Sequence, residues 1–161
     1  MIDSKTIFSL LIASILFLTA CDEYRVYEEN YNFEQKVWLV DTIPTFEFEI
    51  QNIDQPYNIV WNIRNTLNYP YHNLYLTYYL EDTLGRRIST DLHNMLLFDP
   101  KTGEPYGSGL GDIFNHQIMA LPAYQFDTAG TYRIRLEQYM RTDSLKDILS
   151  VGVRVEQANP S

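Results

Sequence analysis

Apolar residues recur at every second position along most of this chain, and that periodicity excludes most folds. Phe46, Phe48 and Ile50 alternate with Glu47 and Glu49. Tyr57, Ile59, Trp61 and Ile63 alternate with Asn58, Val60, Asn62 and Arg64. Leu74, Leu76, Tyr78 and Leu80 alternate with Tyr75, Thr77, Tyr79 and Glu81. Tyr132, Ile134 and Leu136 alternate with Arg133, Arg135 and Glu137, and Val151, Val153 and Val155 with Gly152, Arg154 and Glu156. Successive side chains of a strand point to opposite faces, so each stretch predicts a strand with one face in a core and one in water. That is the signature of antiparallel sheets. Less regular strands are expected near 37–40, 86–98 and 113–119. Turn signals separate the runs, among them Asn52 to Pro56, Asn68-Tyr69-Pro70, Asp82 to Gly85, Asp99 to Gly103 and Asp127 to Gly130. No stretch carries an apolar stripe at helical spacing over three turns. The expectation is an all-β, antiparallel β-sandwich, jelly-roll or immunoglobulin-like, of about seven to nine strands.

The N-terminus reads differently. The apolar run Ile7–Leu18 is short of the roughly 20 residues that a spanning helix needs and fits the core of a signal peptide. It ends in Leu18-Thr19-Ala20-Cys21, an aliphatic residue, two small residues and a cysteine. Small side chains suit a narrow peptidase pocket, and the thiol takes a diacylglycerol through a thioether. Cys21 is the only cysteine of the 161 residues. Acylation explains how an exported chain carries one thiol without a disulfide partner. The expected divisions are a cleaved signal peptide (1–20), an acidic tether behind lipidated Cys21 (21–35), a β-sandwich domain (36–156) and a C-terminal tail (157–161). The partner implied by Cys21 is membrane lipid.

Charge and motif exclude several chemistries. A formal charge of -9 argues against nucleic acid, which is held by clustered Lys and Arg. One cysteine excludes an intrachain disulfide and a multi-cysteine metal site. His72, His93 and His116 lie too far apart for any local metal-ligand spacing, so no metal site is expected. Gly107-Ser108-Gly109-Leu110-Gly111-Asp112 lacks the Lys-Ser/Thr ending of a phosphate loop, and Asp112 would repel phosphate. A hairpin in which backbones approach closely is the expected use of these glycines. No nucleophile elbow, catalytic motif or cofactor motif is present, so no enzyme activity is expected.

Tyrosines cluster at residues 69–79. Tyr69, Tyr71 and His72 fall in a Pro-containing turn, and Tyr75 and Tyr79 fall on the outward face of the strand that follows. Tyr69, Tyr71, His72, Tyr75 and Tyr79 therefore form the candidate surface for a protein partner or a glycan, because exposed rings supply contact area at low entropy cost. Burial of the same rings under neighbouring structure is the competing reading.

Taken in order, several stretches resemble one family. These are Cys21-Asp22 with Arg25-Val26-Tyr27, Tyr57-Asn58-Ile59 through Ile63-Arg64-Asn65-Thr66, Tyr69-Pro70-Tyr71 with Asn73-Leu74, Gly107 to Asp112, Gly130-Thr131-Tyr132, Gln138-Tyr139-Met140-Arg141, and Val151-Gly152-Val153. The chain is similar to the gliding-motility lipoproteins of the GldH type. That resemblance implies a lipid-anchored protein of the bacterial outer membrane, on its periplasmic or surface face. It also implies an interaction or assembly role in the gliding and type IX secretion machinery, envelope proteins as partners, and no catalysis. Only Cys21 carries over as a functional residue. Asp41-Thr42-Ile43, Asp82-Thr83-Leu84, Asp127-Thr128-Ala129 and Asp143-Ser144-Leu145 are similar to the O-glycosylation tripeptide of that bacterial group. They make Thr42, Thr83, Thr128 and Ser144 candidate glycan sites, although Asp-Thr is also ordinary turn chemistry. The rival reading is a surface lipoprotein that binds glycans through exposed tyrosines.

Overall fold

A computed structural model of the chain describes residues 24–158. The stretch read as a signal peptide, Cys21 and residues 159–161 lie outside the described residues. The strands in chain order are β1 (Arg25–Asn32), β2 (Val37–Leu39), β3 (Thr45–Ile50), β4 (Tyr57–Thr66), β5 (Asn73–Glu81), β6 (Arg87–Leu96), β7 (Ser108–Leu110), β8 (Ile113–Tyr124), β9 (Gly130–Gln138), β10 (Ser144–Lys146) and β11 (Ile148–Gln157). A short 3-10 turn, Glu34–Lys36, separates β1 from β2. The strands form a five-stranded sheet in the order β1-β11-β4-β8-β7, a four-stranded sheet in the order β3-β9-β5-β6, and the pair β10-β2. Every pairing is antiparallel.

The alternating sets pack as their periodicity requires. Phe46, Phe48, Ile50, Tyr57, Ile59, Trp61, Ile63, Leu74, Leu76, Tyr78, Leu80, Tyr132, Ile134, Leu136, Val151, Val153 and Val155 are all buried in one core. Contacts between the layers close it. Trp61 of β4 packs against Tyr78 of β5 at 5.6 Å, and its indole N–H donates to His93 Nδ1 on β6 at 3.0 Å. Phe126 lies 4.5 Å from Tyr132 and 6.0 Å from Phe48, filling one end of the core with rings. Each fully buried large apolar side chain contributes roughly 1.5–3 kcal/mol relative to exposure. At the other end β2 and β10 bring in Trp38 and Leu145. Trp38 stacks on Phe33 at 4.9 Å and donates its N–H to the Thr42 carbonyl at 2.8 Å.

The strand count exceeds the expected range because β7 and β10 are three residues each, too short to alternate visibly, and because β1 lies in the stretch expected as a tether. Strand β8 runs past the expected 119 to Tyr124. Its register against β4 shifts twice near Ile59, and Ala123 adopts a left-handed φ of 49°. That bulge, beside Pro122, is why no clean alternation is legible there. The 107–112 glycines do form a hairpin. A side chain at Gly107 would strike the Asn115 carbonyl and His116, and one at Gly109 would strike the Ile113 carbonyl and Phe114.

The 21–35 stretch is the main departure. Its residues 25–32 are not linker but β1, the edge strand of the larger sheet, paired with β11 from Arg25↔Glu156 to Asn32↔Ser150. Tyr27 packs on Phe48 of the opposite sheet at 5.8 Å. Glu28 accepts from Arg25 at 2.9 Å, Asn62 at 2.9 Å and Arg154 at 3.3 Å. Burial opposes its charge, but the bonds from Arg25 and Asn62 outweigh it and hold the carboxyl below its ordinary range. The folded body therefore begins at Arg25, and β11 extends it through Gln157.

One end of the sandwich gathers the start of β1, the end of β11, and the loops at 51–56, 82–86 and 125–129. The opposite end gathers β2, β10, the loops at 67–72 and 97–107, and the β7–β8 turn.

The seam between β1 and β11 depends on Gly152. A Cβ there would fall inside contact distance of the Asn30 side chain and the Glu29 carbonyl. Gly152→Ala is expected to lower stability by about 1–3 kcal/mol, read from the urea midpoint, and to speed trypsin cleavage at Lys36. An unchanged midpoint and digest would contradict this packing.

Candidate functional site

The tyrosine-rich segment splits into buried and open members. Tyr69 is buried: its hydroxyl donates to the Asn73 carbonyl at 2.9 Å and its ring lies 6.4 Å from Phe98. Burial pushes its phenol well above the usual range, with Tyr71 adding to the shift. It is a core residue, contrary to its assignment to a surface. Tyr79 is half-buried on the outer face of β5. Its hydroxyl donates to Glu137 at 2.5 Å, while Arg87 and Arg135 sit 4.4 Å and 5.2 Å from its ring. Its aromatic surface is already taken by two guanidinium groups. The hydrogen bond to Glu137, then burial, raises its pKa. His72 is exposed, and its carbonyl accepts from Leu97 and Phe98.

Tyr71 and Tyr75 remain open, at 41% and 38% exposure, and a third ring joins them. Tyr139 follows β9 on the outward parity of Arg133, Arg135 and Glu137. It is 62% exposed, and its N–H donates to the Tyr75 carbonyl at 2.8 Å. Strand pairing thus sets Tyr139 beside Tyr75. The Tyr75 N–H in turn points at Met140 Sδ, 3.3 Å away. Together Tyr71, Asn73, Tyr75, Leu92, Tyr139, Met140 and Arg141 line an open groove of about 500 Å³. Arg141 is exposed and makes no ion pair among the described residues. Three rings, a leucine, a thioether and one free cation suit an apolar ligand carrying a negative group. Leu92 and the Tyr139-Met140-Arg141 run were missed in sequence. The signal for Tyr139 was present, because it continues the outward parity of β9.

A second hollow of about 630 Å³ crosses the outer face of the five-stranded sheet, lined by Glu28, Asn30, Asn62, Arg64, Asn115, Gln117 and neighbours. Its lining is mainly polar, with Ile63, Leu96, Tyr106 and Ile118 among the neighbours. Asn62 donates to Glu28, while its Oδ1 is buried without a partner. Among the described residues no three His, Cys, Asp or Glu side chains converge as a metal site would. His93 serves Trp61, and His116 Nε2 bonds Asn65 Oδ1 at 2.9 Å inside the core.

The candidate glycan sites are scattered. Thr42 is half-buried in a turn. Thr83, Thr128 and Ser144 are exposed, and the Thr128 hydroxyl lies 3.0 Å from that of Tyr132. Cys21 lies outside the described residues.

The sequence model of the GldH lipoprotein family matches residues 25–155, nearly the whole described body. The chain belongs to the GldH lipoprotein family. It is 31% identical to the gliding motility lipoprotein GldH of Flavobacterium johnsoniae, covering 92% of this chain and 94% of that one. It is 29% identical to the GldH homologue of Christiangramia forsetii, covering 93% and 94%. Solved structures match only loosely. A subviral particle of infectious bursal disease virus VP2 gives a TM-score of 0.37 at 13% identity, covering 81% of this chain and 30% of that one. As a GldH-family lipoprotein the chain is associated with the bacterial cell envelope. Among the described residues no helix is long and apolar enough to cross a membrane.

His116 sets an acid limit on this GldH-family fold. Burial pushes its imidazole down to about 4, below its ordinary 6.5. Above pH 6.5 the folded and unfolded forms are both neutral there and stability is unaffected. As pH falls from 6.5 towards 4 the unfolded chain takes up a proton that the folded chain refuses. The stability lost is up to about 3 kcal/mol. His116→Gln, which keeps a donor for Asn65, is expected to flatten this loss in urea titrations at pH 7 and pH 4.5. Equal acid sensitivity of the two proteins would contradict the assignment.

Proposed function

We propose that this chain is a non-enzymatic, lipid-anchored outer-membrane protein. It holds a partner protein of the gliding and type IX secretion machinery in the Tyr71–Tyr75–Tyr139 groove. The observation carrying this reading is the groove itself. Three exposed rings and the unpaired Arg141 meet at one end of an otherwise acidic body. Aromatic residues and arginine are the types that concentrate binding energy in protein interfaces. Tyr75 lies on β5 and the Tyr139 N–H is bonded to its carbonyl, so the backbone beneath these two rings is set before binding, which lowers the cost of association. Acylation at Cys21 supplies the anchor, and confinement to a membrane raises the local concentration of a partner without any new contact.

Glycan binding draws on the same rings but has less support. Of the five residues that suggested a sugar-binding surface, Tyr69 is in the core and Tyr79 is covered by Arg87 and Arg135. A mixed apolar and cationic groove fits a peptide segment with a carboxylate better than a row of hydroxyls.

A photo-crosslinking residue placed at Tyr139 in living cells is expected to capture a discrete envelope protein, and one at Glu49, exposed elsewhere on the same sheet, is not. Tyr75→Ser combined with Arg141→Ser is expected to reduce capture from position 139 about tenfold at unchanged melting temperature. Equal capture from 139 and 49, or capture that survives the double substitution, would overturn this reading. So would a deletion strain with normal gliding and cargo secretion.

A further inference from the structure

The folded body starts at Arg25, and Cys21 precedes it by only four positions. Four extended residues reach at most about 14 Å. The polar zone of one bilayer leaflet is itself about 5–7 Å deep. A chain acylated at Cys21 therefore keeps the Arg25 end of its sandwich within about 7–9 Å of the headgroups. Whatever lies at the Arg25 end is held within reach of the lipid surface.

That end is well defined. The Gln157 N–H donates to the Tyr24 carbonyl at 2.8 Å, and the Ala158 N–H to the Pro56 carbonyl at 3.0 Å. The 51–56 loop is bridged to the next one by Gln125, whose amide donates to the Ile53 carbonyl. Ile50, just before that loop, pairs with Gly130, and a Cβ on Gly130 would strike the Thr83 side chain. The 82–86 turn thus belongs to the same end. Each of these segments exposes a large apolar side chain: Tyr24, Ile53 and, at 74% exposure, Leu84. The charges between them are mixed. Arg86 is paired with Asp82 at 2.7 Å and Arg25 with Glu28 at 2.9 Å, while Asp54 and Asp127 are exposed. Among the described residues Arg25 and Arg86 are ion-paired and Arg87 lies over the Tyr79 ring, so attraction to anionic headgroups is not the chemistry proposed for this end.

We propose that Tyr24, Ile53 and Leu84 form a membrane-resting face that seats the sandwich on the lipid surface and turns the Tyr71–Tyr75–Tyr139 groove away from it. The proposal rests on acylation of Cys21 and goes beyond it by fixing which end of the body lies down. Isolated apolar loop tips bind a bilayer weakly, but the anchor keeps them within reach of it, so a shallow contact suffices. The opposite end also exposes apolar side chains, Leu110 at 91% among them, yet the length of the sandwich separates it from the anchor. The groove opens towards that far end because Asn73 begins β5 and Tyr139 follows β9 there. Seating the near end points the groove at partners beyond the membrane surface.

The test uses the full lipidated chain in phosphatidylcholine vesicles. With Cys21 in a thioether, Leu84→Cys or Leu110→Cys introduces one free thiol for a polarity-sensitive dye. Both positions are open, so neither substitution threatens folding. Brominated lipid is expected to quench the dye at 84 about threefold more than at 110, with little change in high salt. Equal quenching at both positions, or none at 84 in protein that floats with the vesicles, overturns the seated orientation while leaving the anchor standing. Protein that fails to float with the vesicles removes the anchor and the orientation together.

Discussion

The antiparallel seam between β1 and β11 is the contact on which the rest of the molecule depends. Strand β11 is a Val-rich inner strand of the larger sheet, flanked by β4 on one side and β1 on the other. Without β1 it would be a ten-residue edge carrying Ile148, Val151, Val153 and Val155, open to pairing with another chain. With β1 in place the edge passes to a strand that carries Glu28, Glu29 and Asn30, and Tyr27 covers Phe48 across the core. The same seam leaves Cys21, the proposed acylation site, only four positions ahead of the start of β1. A segment whose composition resembles a spacer is thereby part of the scaffold.

The two ends of the sandwich then acquire different work. On the proposed acylation of Cys21, chain length commits the end at Arg25 to the membrane. The far end, which carries β2, β10 and the aromatic groove, is then left to meet other proteins. Between them lies a core of interdigitated aromatic and aliphatic side chains from both large sheets, which holds groove and anchor in fixed relation. In this account a GldH-family chain works through where it places a surface.

The parts of the fold legible in sequence are those where burial alone dictates pattern. Strands β3, β4, β5, β9 and β11 each present one face to a two-layer core, so their apolar residues fall at every second position. Strand β1 hid because its acids are satisfied from a distance: Arg154, which bonds Glu28, is 126 residues away. Strand β8 hid behind a bulge and a proline. At the candidate site, alternation correctly set Tyr78 inward and Tyr75 outward. It could not show that Arg87 and Arg135, on two neighbouring strands, would close over Tyr79. Nor could it show that the β4–β5 loop would fold Tyr69 onto Phe98. Tyr139 needed the pairing of β9 with β5 before its place beside Tyr75 became visible. Alternation reports burial on a strand's own faces, whereas sites are built from registers between strands.

The proposed placement of both ends of the molecule depends on the sulfur atom of Cys21. Mass spectrometry of the N-terminal peptide, taken from protein extracted from the native membrane fraction, reads that atom directly. The expected peptide begins at Cys21 and carries a diacylglyceryl thioether with an acylated amine, with residues 1–20 gone. A peptide beginning at Met1, its cysteine still a free thiol, would contradict the anchor and with it the placement of both ends of the molecule.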